Sequence, residues 1–250
     1  MIFGLEFPPV SHAIEWPTGP LGINKVIVLM WLSVLIVFGL LWLAGRSGDL
    51  VPRGVKNIAE ATIDFIREGI IMQTMGSDGL GWTPLLLTLF TFIFMNNVWG
   101  IIPVAQMPVN ARMALPMFMA LLIWVLFVLV GIKNQGPIGY FKNIMFPPGV
   151  PKALYVLVTP IELVSTILVR PLSHSVRLFA NALAGHLILI SFAVITAAVW
   201  AVNATIVILP FSFGLLVALT GFELLVAFLQ AYIFTILAAV YIGSSMHPEH

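Results

Sequence analysis

The sequence predicts an all-α integral membrane protein, with about three simple transmembrane helices, an amphipathic surface helix and two much longer apolar stretches at its C-terminal end. Three observations predict it. The chain is 60% hydrophobic and only 8% charged, where a soluble domain carries about 25% charged residues. Its mean hydropathy is +1.09, so polar surface is too scarce to cover it and lipid must serve as solvent. Finally, its apolar runs are long enough to cross a hydrocarbon core of ~30 Å and are separated by charged or Gly/Pro-rich segments.

Composition also excludes function classes. A net charge of +1 offers no basic face for nucleic acid. Without cysteine there is no disulfide, thiol catalysis or thiolate metal site. There is no HExxH, GxSxG or GxxxxGK[ST] motif, so neither an intramembrane hydrolase nor a nucleotide site is expected in this chain. His174 and His186 are twelve apart and poorly placed for a shared metal, and His247 and His250 read as part of a loose tail. No cofactor and no metal are expected.

Residues 1–23 form a polar lead-in with Glu6, Glu15 and four prolines, and no basic region precedes an apolar one as in a cleavable signal. Residues 24–44 are the first span. In 55–72, Val55, Ile58, Ala59, Ile63, Ile66 and Ile70 recur at helical spacing against Lys56, Glu60, Asp64 and Arg67. This amphipathic helix suits a membrane surface or a partner, and equally an ordinary surface. Residues 83–102 and 113–132 are the second and third spans.

The chain is then apolar for 48 residues over 154–201 and for 41 over 204–244. A straight 48-residue helix would be ~72 Å long, more than twice the core thickness. Each stretch is therefore either two spans with a tight turn or one steeply inclined helix. Arg170-Pro171 could begin a turn, and Pro210 could kink the second stretch. With three simple spans and two long helices, Arg46, Arg53, Lys56, Arg67, Lys133, Lys142 and Lys152 share one side against Lys25 and Arg112. The positive-inside rule then puts the N-terminus outside and the C-terminus in the cytoplasm. No internal repeat is visible, which disfavours repeat-built secondary transporters.

Inside the long stretches lie Glu162, Arg170, Arg177 and Glu223, with His174 and His186. A charge at mid-membrane costs ~2.5–3.5 kcal/mol on insertion scales, and such residues mark ion paths. Glu162 and Arg170, near a helix end, suit snorkelling or pairing as well as function; Arg177 and Glu223 lie deeper. Arg177 and Asn181 are four apart on one face, as Glu223 and Gln230 are at seven. In an antiparallel hairpin, Arg177 and Gln230 are level if the turn is centred between residues 203 and 204. His186 and Glu223 are level if it is centred one residue later, again beside Asn203. His186 and Glu223 both change protonation and suit a relay. The Arg177 guanidinium holds its proton and acts as a fixed charge, which Gln230 could hydrogen-bond without neutralising. Ala180, Ala184, Ala227 and Ala231 permit close helix approach.

The run from Ser175 to His186 (Ser-Val-Arg-Leu-Phe-Ala-Asn-Ala-Leu-Ala-Gly-His) closely resembles the signature of the F-type ATP synthase subunit a family. Leu229 to Leu237, with Gln230, resembles the family's last-helix motif, and Met95-Asn96-Asn97 with Ile102-Pro103 its earlier Asn-containing span. The match is specific over 160–243, fair over 83–132 and weak before. In some relatives the His186 position is acidic and the Glu223 position is histidine; here the pair is swapped. Relatives often carry acidic residues near the Asn96 span, whereas 79–161 here holds no Asp or Glu, leaving Asn96, Asn97 or Asn110 to line a channel through water.

The resemblance implies a C-terminal hairpin of two long, steeply inclined helices against the c-ring. It places the chain in a bacterial plasma membrane with peripheral-stalk subunit b and the rest of the ATP synthase, as a subunit that is not itself catalytic. It implies protons as the transported ion, Arg177 as the essential coupling charge facing Gln230, and an inlet half-channel lined by His186, Glu223 and Asn110. Glu162 and Ser165 are outlet candidates. The competing function is a secondary ion transporter or channel using the same buried charges, working without a ring partner.

Overall fold

The computed structural model describes residues 23–46, 54–102, 105–146, 151, 154–201 and 209–246, the side chains only as far as 197 in the fifth segment. Residues 1–22 of the expected lead-in, the expected break at 203–204, Arg53, Lys152 and the tail from His247 lie outside them.

Every regular element among the described residues is helical. Helix α1 (Lys25–Arg46) is the first apolar helix, opened by Asn24, whose side-chain oxygen accepts the Ile27 N–H at 3.0 Å. Helix α2 (Val55–Ile66) carries a Lys56–Glu60 pair at 3.8 Å one turn apart. It runs through a π turn, Arg67–Ile71, toward a 3₁₀ stretch, Gly76–Trp82. Helix α3 (Thr83–Val98) carries the Asn96-Asn97 pair in its last turn. Helix α4 (Ala114–Gln135) stops at Gly136, whose φ of 73° is a conformation that costs other residues a Cβ clash. Helix α5 (Pro137–Met145) starts immediately after, with proline at its first position where no N–H is needed.

The first long stretch is one helical run. Helix α6 (Tyr155–Val164), a π turn (Ser165–Val169) and helix α7 (Arg170–Ala201) follow without a break. Arg170-Pro171 does not start a turn there; the π turn before it absorbs the proline. Helix α8 (Leu209–Met246) is a single helix of 38 residues, with Pro210 in its first turn, where proline leaves no bond unmade. Among the described residues, five helices are long and apolar enough to cross a membrane: Lys25–Arg46, Gly76–Val98, Ala114–Gln135, Tyr155–Ala197 and Leu209–Met246.

The described residues form two compact units. The first gathers α1 as far as Phe38, Phe92–Arg112 and Leu178–Ala231. A polar knot lies in it: Trp99 Nε1 donates to Ser33 Oγ at 2.7 Å, and the Ser33 hydroxyl lies 2.9 Å from both Leu29 O and Asn96 Oδ1. The second gathers Gly39–Thr91, Met113–Arg177 and Tyr232 onward. Its packing is aromatic and close. Phe65 packs at a tilt against Phe90 and Tyr232, and Phe127 against Tyr241, and the Tyr140 ring occupies the space a Cβ on Gly131 would take. On α2 the packed side chains are Ala59 and Ile66, whereas Ile58 is 66% exposed, leaving apolar surface for lipid or a partner.

Candidate functional site: a polar path in an apolar chain

Along α7 and α8 in the first unit lie a larger and a smaller cavity. The larger, ≈ 520 Å³, is lined by His186 and Ala197 of α7, Leu216 and Thr220 of α8, and Gly100 and Gln106 of the connecting loop. The smaller, ≈ 20 Å³, has room for about one water molecule. Asn97, Pro108, Asn181, Glu223 and Gln230 line it. From residue 197 toward 181 on α7 and from 216 toward 230 on α8, the large cavity gives way to the small one, whose lining is richer in polar groups.

Glu223 lines the small cavity. Its Oε2 is buried without a hydrogen-bond partner. A Cβ built on Gly185 would stand 3.0 Å from its Oε1, so the carboxylate occupies space that the missing side chain leaves. His186, the next residue, is 3% exposed. The unpartnered oxygen is costly in an apolar surround unless water serves it, and the adjoining cavity could hold that water.

Asn110, 0% exposed, donates from Nδ2 to Asn97 Oδ1 at 2.8 Å, and its own Oδ1 has no partner. The Asn110 amide thus holds Asn97 at the edge of the small cavity. Asn96 is committed elsewhere, to Ser33, with its Nδ2 unpartnered. Of two adjacent asparagines about 100° apart on a helix, Asn97 is the cavity residue and Asn96 belongs to the Ser33–Trp99 knot. Nothing in the sequence ranks them, since the choice is made by Ser33 of α1. Gln106 and Thr220 of the larger cavity were also not singled out by sequence; Gln106 has φ of 45°, unusual for a residue other than glycine.

Arg177 belongs to the second unit and Asn181 and Gln230 to the first. Along α7, Arg177, Ala180 and Ala184 are all exposed. On α8, Ala227 and Ala231 are buried, so those two small residues serve packing.

In the second unit, His174 faces inward. Its Nε2 lies 3.2 Å from Phe234 O and its ring packs edge-on to Phe234 at 3.8 Å, a structural role. The Arg170 guanidinium lies 5.3 Å from the centre of the Tyr241 ring. Burial raises the Tyr140 phenol above its ordinary value, against the opposing pull of Arg170 and Ser245. Glu162 lies in the last turn of α6, and Ser165 opens the π turn. Among the described residues no group of three His, Cys, Asp or Glu could hold a metal ion.

The model of the family described as "ATP synthase A chain" matches residues 27–243. The chain is 43% identical to "ATP synthase subunit a" of Frankia alni over 91% of its length and 79% of that protein's. It is 39% identical to the Streptomyces lividans protein of the same name, over 91% and 81%. It is 42% identical to that of Rhodopseudomonas palustris, over 88% and 87%.

Proposed function

Since the chain belongs to the ATP synthase A chain family, we propose that it is the proton-translocating stator subunit of a rotary F-type ATP synthase, with Arg177 as the charge that separates two aqueous half-channels. As a subunit a of the ATP synthase it is a multi-pass membrane protein of that complex. The N-terminus lies outside and the C-terminus in the cytoplasm, and the long helices lean. At 38 residues, α8 is ~57 Å long and must tilt by about 60° from the membrane normal to fit a core of ~30 Å.

In that orientation the wide cavity is the outer one. Protons enter beside His186 and Thr220 and reach Glu223, with Asn97, Asn110 and Asn181 ordering the water between. From there they neutralise a carboxylate on the ring. A neutral carboxyl can turn into lipid, because no charge is then buried. After nearly a full rotation it meets Arg177, whose guanidinium favours the ionised carboxylate. The proton then leaves toward the cytoplasm past Ser165 and Glu162. The drive is ~2.3 kcal/mol per charge per 100 mV, plus any pH gradient. Arg177, Ala180 and Ala184 form the exposed strip of α7 that suits close approach of ring helices. The role of Gln230 toward Arg177 rests on the sequence motif.

One observation carries the inlet: an unpartnered, buried Glu223 oxygen beside a cavity in a chain with no other acidic residue in α7 or α8. The test of the whole reading is Arg177→Ala in inverted membrane vesicles, with assembly and passive leak as controls. Loss of ATP-driven pumping in an assembled complex is expected, with increased leak. Pumping at the normal rate would refute the coupling role.

A further inference from the structure

The helical run α6–α7 contains a local defect whose cause is visible in the second unit. At the π turn, Arg170 N–H bonds back to Ser165 O, five residues earlier. The next carbonyl, that of Thr166, is left with no helical donor. Its α-type donor, Arg170 N–H, is taken. Its π-type donor would be Pro171, which has no N–H. Thr166 is 3% exposed, so bulk water does not serve it. Trp124 of α4 does: its Nε1–H donates to Thr166 O at 3.0 Å.

The π turn decides which way Arg177 points. Thr166 and Arg177 are eleven residues apart, about three α-helical turns. In a uniform α-helix Arg177 would stand within about 20° of the Thr166 direction, on the packed face. A π turn accommodates one extra residue, so everything after it is turned back by about 100°. The packed direction then falls to Pro171, His174 and Ser175, the last two being 5% and 0% exposed. Arg177 is exposed.

We propose that Trp124 is a positioning residue that holds this π turn and thereby sets the direction in which Arg177 leaves α7. Its functional consequence rests on the reading of Arg177 as the coupling charge; the geometry does not.

The chain has no cysteine, so a reporter pair is clean. Ser175 Oγ lies 3.7 Å from Met117 Sδ. Cysteines at 117 and 175, joined by a short bifunctional thiol reagent, therefore report the π-turn register. Relaxation of the turn to α-helix would bring position 174 to where 175 stood, so a 117/174 pair reports the relaxed register. Two backgrounds are compared in the complete ATP synthase, with pumping measured on chains lacking the reporters. The first is native. The second lacks Ile167 and carries Pro171→Ala, which removes both the extra residue and the missing donor while keeping the phase of α7.

In the native background, Trp124→Phe shifts crosslinking from 117/175 toward 117/174 by about fivefold, the effect of one buried acceptor left unserved. Pumping falls with it. In the second background the same substitution changes neither. An unchanged crosslink pattern in native Trp124→Phe would overturn the proposal. So would equal losses in both backgrounds, which would make Trp124 a packing residue only. If the crosslink shifts while pumping holds, the positioning role stands and the coupling role of Arg177 falls.

Discussion

Gly185 gives the inlet a steric test with a magnitude set by distances. A Cβ there would meet Glu223 Oε1 at 3.0 Å, Cδ at 3.3 Å and Cγ at 3.5 Å. Ordinary carbon–oxygen contact begins at about 3.4 Å, so Gly185→Ala displaces the carboxylate by about 0.4 Å. That is a small move for the far end of a flexible side chain whose Oε2 has no bond to break. Alanine also gains ~0.8–1.0 kcal/mol over glycine inside a helix, so assembly should be unimpaired. Functional constellations tolerate errors of about 0.5 Å, and a misplacement of ~1 Å can cost 10²-fold. Gly185→Ala should therefore assemble normally and slow ATP-driven proton pumping only a few-fold. Gly185→Val adds two further methyl groups to a Cβ already in contact with Glu223 Oε1, Cδ and Cγ. It should push the carboxylate beyond the tolerated error and lower pumping by at least about tenfold. The assay is pH-gradient formation in inverted vesicles, normalised to assembled complex. Normal pumping by the valine variant, in an assembled complex, would refute the placement of Glu223 on the proton path.

Two further substitutions separate charge from shape. Glu223→Gln keeps the size and removes the titrating group, and should slow pumping by about 10²-fold, the lower range for a positioned proton-transfer group; unchanged pumping across several pH values would count against a relay. Arg177→Lys keeps a positive charge but loses the planar fork and admits deprotonation when buried; it should assemble without restoring coupled pumping, and a fully coupled lysine enzyme would exclude the assigned role.

The membrane class was legible because it follows from sums over many residues: 8% charged residues and runs of span length leave lipid as the only solvent. What could not be read was anything settled by one contact. Composition could not decide whether 154–201 was one helix or two. Arg170-Pro171 looked like a turn because proline removes a helical hydrogen bond. The helix instead continues through a π turn, and the Thr166 carbonyl accepts from Trp124, 42 residues earlier in the chain. Likewise Asn96 and Asn97 are equivalent in sequence, and it is Ser33, itself bonded by Trp99, that claims the first and leaves the second to the cavity. The level placement of Arg177 with Gln230 depends on a turn at 203–204, outside the described residues.

A proton path coupled to rotation must be continuous to the ring and interrupted in the stator. The polar groups of the first unit suit the first requirement. Asn97, Asn181 and Glu223 line the ≈ 20 Å³ cavity and Asn110 bonds Asn97 at its edge; Asn110 and Glu223 each carry an unpartnered oxygen. None but Glu223 can hold a proton, so water ordered by the amides would deliver it to one carboxylate rather than to several competing ones. The second requirement calls for a group that never carries a proton onward, and a guanidinium meets it. One turn separates Asn181 from Arg177 on α7, yet Asn181 lines the cavity and Arg177 is exposed. A lysine or histidine at 177 could shuttle a proton along that turn and short-circuit the motor. Arginine cannot, so on the proposed reading Arg177 would stop a proton from passing further along α7.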